Sequence, residues 1–126
     1  MKRVAAAVVL LLLAVSTAAA AHFAFNSELT ALSESIEMLI DCAENCSDDE
    51  LKEKTDEVLS EWKHSSALLH SLVVHEGMDD LEQNLTALPL IIAHSDRSEY
   101  KLKCIEAINQ IENLINAEKL DIENIL

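Results

Sequence analysis

The chain contains a single glycine, Gly77, and a single proline, Pro89, among its 126 residues. These two residue types form most of the tight turns that a β-rich chain of this length would need, so their scarcity argues against a sheet. Leucine, alanine, glutamate, isoleucine and lysine are abundant, and most of them favour helices. The composition therefore predicts one all-α domain of modest size.

An apolar segment opens the chain. Lys2 and Arg3 precede an unbroken apolar run over residues 4–15, and Ser16, Thr17 and four alanines follow. This order is typical of a signal peptide with an Ala-x-Ala exit. Read as a helix over residues 4–25, the segment is about 33 Å long, enough to cross a hydrocarbon core of ~30 Å. We therefore divide the chain into residues 1–21, a signal peptide or membrane anchor, and residues 22–126, an acidic extracytoplasmic helical domain.

Charge predicts the orientation of this segment. All 23 acidic residues follow it, and residues 22–51 contain acids but no lysine or arginine. Because basic residues stay on the cytoplasmic side, the N-terminus is expected inside and the domain outside. The protein would then contact the membrane through residues 4–21, or be secreted if that segment is cleaved. The net charge of −14 disfavours nucleic acid as a partner.

Apolar residues recur at helical spacings of three and four in four later stretches. The expected stripes are Leu29, Leu32, Ile36, Leu39, Ala43 and Cys46; Leu51, Thr55, Val58, Trp62, Ser65, Leu69 and Leu72; Leu81, Leu85, Leu88 and Ile92; and Leu102, Ile105, Ile108, Ile111 and Ile115. Trp62 lies on the second stripe and is expected in the core. The apolar tail, residues 120–126, is expected to pack against the bundle.

Capping residues and breakers predict where the helices begin and end. The first helix starts at Asn26 or Ser27, or continues from the apolar segment if that segment is retained. Ser47 with a glutamate three residues later forms a capping box for the second helix. Gly77 suits a left-handed position at its end, and Pro89 should kink or end the third. The fourth helix starts near residues 95–98. Short links make neighbouring helices antiparallel, which predicts a small up-and-down bundle of about four helices.

The second half of the chain resembles the DUF4363 family, short Gram-positive bacterial proteins with a domain of unknown function. The resemblance covers about residues 55–126 and rests on Trp62, the runs at 68–76 and 78–85, and the terminal Asn124-Ile125-Leu126. It implies an N-terminal membrane segment followed by a helical domain, and it transfers no catalytic residues. The alanine-rich exit of the apolar segment departs from the family pattern and looks more cleavable.

Two groups of residues are candidates for metal binding. His75 and Glu76 lie near Asp79 and Asp80 across a predicted turn, where a zinc or hard cation would find suitable ligand types. The spacing matches no metal-binding loop, so a capping role is favoured, and no cofactor is predicted. Glu61-x-x-His64 is half of a di-iron motif, which needs a second copy that the chain lacks.

The chain has three cysteines. An exported domain permits a disulfide, and the up-and-down topology places Cys104 near the level of Cys42. Cys42 and Cys46 lie one turn apart on one helix, an alignment expected to be poor for a bond. A Cys42–Cys104 disulfide is therefore the candidate pairing. The alternative is that all three cysteines are small core or partly buried residues.

The functional prediction is a non-enzymatic envelope module that mediates an interaction with an unknown protein partner or acts as a tethered spacer. The alternative is a small extracytoplasmic protein that binds an apolar ligand or a divalent cation. An enzyme is disfavoured, because the sequence contains no phosphate-binding glycine loop and no nucleophile motif.

Overall fold

The computed structural model describes residues 1–72 and 77–125, and the side chains in these ranges except those of residues 71, 72, 121, 122 and 125. Four α-helices make up the structure: α1 (Lys2–Asn45), α2 (Asp48–Leu72), α3 (Gly77–Ala93) and α4 (Arg97–Ile125). No strand occurs within the described ranges. The predicted all-α, four-helix class is confirmed.

The helices form a ring in chain order, and α4 closes the ring by packing against α1. Side-chain pairs define the antiparallel register of the first two helices. Ser65 on α2 donates to Glu28 near the start of the bundle, and Glu61 accepts from Ser35 further along α1. This arrangement is an up-and-down bundle, as the short links between its helices require.

Helix α1 is one uninterrupted element of 44 residues, about 66 Å long at ~1.5 Å per residue. The expected N-cap at Asn26 or Ser27 is wrong, and the alternative, a helix that continues from the apolar segment, is correct. The alanines at 18–21 favour helix, and neither glycine nor proline interrupts the region. From Phe25 onward, the inner face of α1 is buried in the bundle.

Helix α2 matches its predicted stripe. Every stripe residue whose side chain is described is buried: Leu51, Thr55, Val58, Trp62, Ser65 and Leu69. Trp62 is only 3% exposed, which confirms it as a core residue. The Ser47 half of the predicted capping box is present, because the Glu50 amide donates to Ser47 Oγ at 3.3 Å.

Helix α3 excludes one of the two alternatives predicted for Pro89 and corrects the prediction for Gly77. Pro89 does not end the helix, which continues to Ala93. Gly77 begins α3 and does not adopt a left-handed conformation. Its small size serves helix packing instead, because a Cβ at this position would lie 3.0 Å from Leu114 Cδ2 on α4.

Among the described residues, Ser95 adopts the left-handed conformation, with φ of 56°, in the link between α3 and α4. The amide of Ser95 donates to the carbonyl of Ile92 at 2.9 Å, and the amide of Asp96 donates to the carbonyl of Ile91 at 3.4 Å. These two bonds form a Schellman motif. The Asp96 carboxylate then caps α4 by accepting from the Glu99 amide at 2.9 Å.

Helix α4 buries a face that only partly matches the predicted stripe: Ile111 is buried, and Ile108 and Ile115 pack against the core. Leu102 and Ile105 are 54% and 46% exposed. The buried residues are Tyr100, Cys104, Ala107, Ile111, Leu114 and Glu118. Apolar residues occur on both faces of α4, so helical spacing alone did not identify the inner one. In the predicted tail, Leu120 is 58% exposed, while the side chains of Ile122, Ile125 and Leu126, on which the expected packing depends, lie outside the described residues.

Candidate functional site

The first part of α1 is the most distinctive surface of the protein. All residues from 1 to 20 are exposed, and the most apolar window of this helix has a mean hydropathy of 2.5. The segment is long and apolar enough to cross a membrane, a property that a signal sequence shares. The bundle therefore presents one very apolar helical extension at one of its ends.

We call the end next to this extension the base of the bundle, defined by His22, Asn26 and Glu118. Asn26 Nδ2 lies 3.1 Å from His22 Nε2, and His22 Nδ1 lies 3.9 Å from Glu118 Oε1. The second distance is too long for a hydrogen bond, so His22 Nδ1 and the Glu118 carboxylate are neighbours without a direct bond. Glu118 is only 8% exposed, so a buried carboxylate at the end of α4 lies against α1 beside the apolar segment.

We call the opposite end the tip of the bundle, and Arg97 holds it together. One guanidinium nitrogen donates to the carbonyl oxygens of Ala43 and Cys46, at 2.8 and 3.0 Å. The other pairs with the carboxylate of Asp48. The last carbonyls of a helix lack intrahelical partners, so Arg97 caps α1 from a neighbouring helix.

Sequence reasoning missed this role of Arg97. A positive charge in the first turn of a helix is unfavourable, because the helix dipole is positive at that end. The position of Arg97 at the start of α4 was therefore a signal in the sequence that its side chain stabilises a different helix. The cluster at the base was missed for a related reason. It depends on α1 pairing with α4, the two helices furthest apart in the sequence.

The structure does not form the expected Cys42–Cys104 disulfide. Cys42 is bonded to Cys46, and Cys104 is a buried free thiol. The argument against the Cys42–Cys46 pairing assumed that both residues are helical. Cys46 is instead the C-cap of α1 with an extended backbone, and the two Cα atoms are 4.8 Å apart, within the usual range for a disulfide.

The candidate metal ligands are not brought together where the structure describes them. Asp79 and Asp80 are exposed in the first turn of α3, and His75 and Glu76 lie outside the described residues. Glu61 accepts from Ser35, while His64 is exposed. Within the described residues, no group of three potential metal ligands is assembled.

A buried polar network lies inside the bundle near the tip. Thr55 Oγ1 lies 2.6 Å from the hydroxyl of Tyr100, which also hydrogen-bonds the side chain of Cys104. Burial raises the pKa of the Cys104 thiol to about 12 and moves the pKa of Tyr100 well above its usual value. Both groups are therefore neutral at physiological pH, and Cys104 is not poised as a nucleophile.

A groove between α1 and α2 is lined by residues including Met38, Lys54 and Glu57. Its volume is about 110 Å³. Pockets that hold small organic ligands typically have volumes of ~300–1,000 Å³. This groove is therefore too small to enclose such a ligand.

These features define a class of protein: an acidic four-helix bundle whose first helix extends into an exposed apolar segment. A family model described as "Domain of unknown function (DUF4363)" matches residues 23–125. The chain belongs to this family, and the match begins further upstream than the resemblance seen in the sequence. No curated protein and no solved structure matches the chain significantly.

Proposed function

We propose that the protein is a membrane-anchored, non-enzymatic module whose helical bundle stands outside the cytoplasm and acts as an interaction or spacer domain. The observation that carries this proposal is the continuity of α1. One helix is exposed over residues 2–20, is apolar over residues 4–15, and forms part of the bundle core from Phe25.

Helical structure across the exit of the apolar segment supports retention over cleavage. The Ala-x-Ala sequence at residues 18–21 lies in the interior of α1, with helix on both sides. Proteolysis favours exposed backbone that lacks regular hydrogen bonds, and a continuous helix does not offer it. The base cluster adds support, because His22 contacts Glu118 immediately after these alanines.

Charge supports the external location of the bundle. Lys2 and Arg3 precede the apolar segment, and no other lysine or arginine occurs before Lys52. The opposite orientation would move both charges across the bilayer, which opposes the distribution seen in membrane proteins. The acidic surface keeps the bundle hydrated and repels anionic polymers.

The non-enzymatic role is supported by what the buried polar groups do. The Thr55–Tyr100–Cys104 network lies in the core, and the Ser–Glu pairs fix helix register. Arg97 caps a helix, and the carbonyls it contacts are backbone groups of α1. These groups therefore have structural roles, which suits a rigid spacer or an interaction domain.

Fractionation with protease added to intact cells tests the anchor and its orientation. We expect full-length protein in the membrane fraction and digestion of the bundle by external protease. A matched variant, Leu11→Asp with Leu12→Asp, should lose membrane retention because each charge is costly in the bilayer. A protease-protected product would contradict the orientation. A soluble product beginning near Ala21 would contradict the tether.

Thermal unfolding tests the non-enzymatic interaction module against a cation-binding protein. A ligand at a hundredfold excess over its Kd stabilises the folded state by ~2.7 kcal/mol. We expect the unfolding temperature to be the same in EDTA, Ca²⁺ and Zn²⁺. An increase with one cation would favour the cation-binding alternative.

A further inference from the structure

We propose that the base of the bundle rests on the bilayer surface, with Phe23 and Leu120 inserted at the boundary between headgroups and acyl chains. This inference rests on the proposed membrane anchor and adds a second contact, made by the bundle itself. The occupant of this surface is the phospholipid bilayer that α1 crosses.

Phe23 supplies the first part of this contact. It follows the apolar segment by two residues, or ~3 Å along the helix, and it is 76% exposed. An exposed phenylalanine at this level would cost free energy in water, whereas large apolar side chains are favourable at the acyl boundary.

Leu120 supplies the second part, from a different helix. Glu118 lies beside His22, and α4 runs antiparallel to α1. Leu120 therefore lies ~3 Å closer to the apolar segment than Glu118, near the level of Ala20. It is 58% exposed. Two exposed apolar side chains on separate helices thus lie within about one helical turn, ~5 Å, of each other along the bundle axis, close to where the anchor would leave the bilayer.

Neighbouring polar residues fit an interfacial depth. Lys119 is exposed beside Leu120, and a lysine near an interface extends its ammonium group to lipid phosphates while its stem stays apolar. Glu123 and Asn124 are exposed in the last turn of α4. These two residues lie ~5 Å nearer the apolar segment than Leu120. Helical side chains point back toward the N-terminus of their helix, so their polar ends extend toward the headgroups and limit how deeply Leu120 inserts.

The continuity of α1 is the reason to choose the bilayer over a protein partner. The helix leaves no linker between the apolar segment and the bundle. The base is therefore held within about one helical turn, ~5 Å, of the membrane boundary. A protein partner would have to enter that narrow space, while lipid already fills it.

Leu102 provides a matched control for Leu120 on the same helix. The two residues are separated by five helical turns, so they lie on the same face of α4 about 27 Å apart. Their exposure is similar, at 54% and 58%. Leu102, however, lies toward the tip, away from the membrane.

The test is photocrosslinking of the full chain in phosphatidylcholine vesicles, with p-benzoylphenylalanine placed singly at Leu10, Leu102 or Leu120. Circular dichroism of each variant checks that the fold is retained. We expect lipid adducts at Leu10 and Leu120, with about tenfold less at Leu102, because burying one leucine side chain shifts an equilibrium by that order.

Each of the other outcomes contradicts either the membrane anchor or the contact between the base and the bilayer. Adducts at Leu10 without adducts at Leu120 would retain the anchor and overturn the second contact. Equal adducts at Leu102 and Leu120 would mean that the bundle lies on its side, which also overturns it. No adducts at Leu10 would refute the anchor, and the contact at the base with it.

Discussion

The hydroxyl of Tyr100 lies 2.6 Å from Oγ1 of Thr55 in the buried interior of the bundle, near its tip. These residues belong to α4 and α2, which occupy opposite corners of the ring and share no close backbone contact in the described structure. Thr55 also donates to the carbonyl of Leu51 at 2.6 Å. The pair therefore links the two helices that backbone packing leaves apart, and it fixes their relative register.

This link predicts a coupling energy between the two residues. Thr55→Val should destabilise the bundle by about 1–3 kcal/mol, because it leaves the buried Tyr100 hydroxyl without this partner. Adding Tyr100→Phe should recover about 1 kcal/mol, measured by urea unfolding in a double-mutant cycle. Thr86→Val is the control, because Thr86 is exposed and bonds only within its own helix. Strict additivity of the two core substitutions would contradict the link.

Cys104 predicts a loss of stability at alkaline pH. Burial raises its pKa from 9.0 to about 12, so the folded state retains a proton that the unfolded state loses above pH 9. Stability should be fully present below pH 9 and fall by about 1.4 kcal/mol per pH unit until the folded pKa is reached. Tyr100, with its pKa also raised, acts in the same sense above pH 10.

Urea unfolding at pH 8 and pH 10 measures this effect as a difference between the native chain and Cys104→Ala. The native chain should lose about 1.4 kcal/mol more than the variant over this interval. Lysines common to both proteins cancel in the comparison. Equal losses would show that Cys104 titrates at its ordinary pKa and is not protected by burial.

The contrast between α2 and α4 shows how much of the fold could be predicted from sequence. In α2, charged residues flank a narrow apolar stripe, so the helical period alone identified Leu51, Trp62 and the rest of the core face. In α4, Leu102 and Ile105 create a second apolar face. Which of the two apolar faces of α4 is buried depends on the residues that Tyr100 and Cys104 contact on other helices. The sequence of α4 alone does not contain that information.

The two ends of the bundle show the same limit for the candidate site. The apolar segment was evident from its composition, because a long hydrophobic run is a local property. The Arg97 cap and the His22–Glu118 pair connect residues separated by more than fifty positions. No local pattern encodes such pairs. The Cys42–Cys46 bond was rejected because the extended backbone at the end of α1 was not foreseen.

Ser95 predicts a stabilising substitution. Its φ of 56° is left-handed, a conformation that costs a non-glycine residue roughly 1–2 kcal/mol. Ser95→Gly should therefore raise the free energy of unfolding by about 1 kcal/mol, less the extra entropy of glycine in the unfolded chain. Ser60→Gly, on the exposed face of α2, should instead destabilise the protein by about 0.5 kcal/mol. A loss of stability in Ser95→Gly would exclude the left-handed cap.

Arg97 predicts a specific weakening of the tip. Arg97→Ala removes the hydrogen bonds to Ala43 and Cys46 and should lower the free energy of unfolding by about 1.5–3 kcal/mol, the range for hydrogen bonds to charged groups. Lys101→Ala is the control, since its ion pair with Glu44 is a surface contact at 3.3 Å worth roughly 0–1 kcal/mol.

Charge alone does not explain the contribution expected from Arg97. The guanidinium presents several donors in a fixed plane and reaches two carbonyls and a carboxylate together, whereas a lysine ammonium is a single point charge. Arg97→Lys should therefore recover less than half of the stability lost in Arg97→Ala.

Hydrogen exchange should show which part of the bundle loses stability in Arg97→Ala. Protection of the Cys46 amide, which donates to Cys42 at 2.7 Å, should fall at the tip, while amides around Asn84 near the middle of α3 stay protected. If Arg97→Lys matched the native chain, or if exchange rose equally in both regions, the capping role of Arg97 would be refuted.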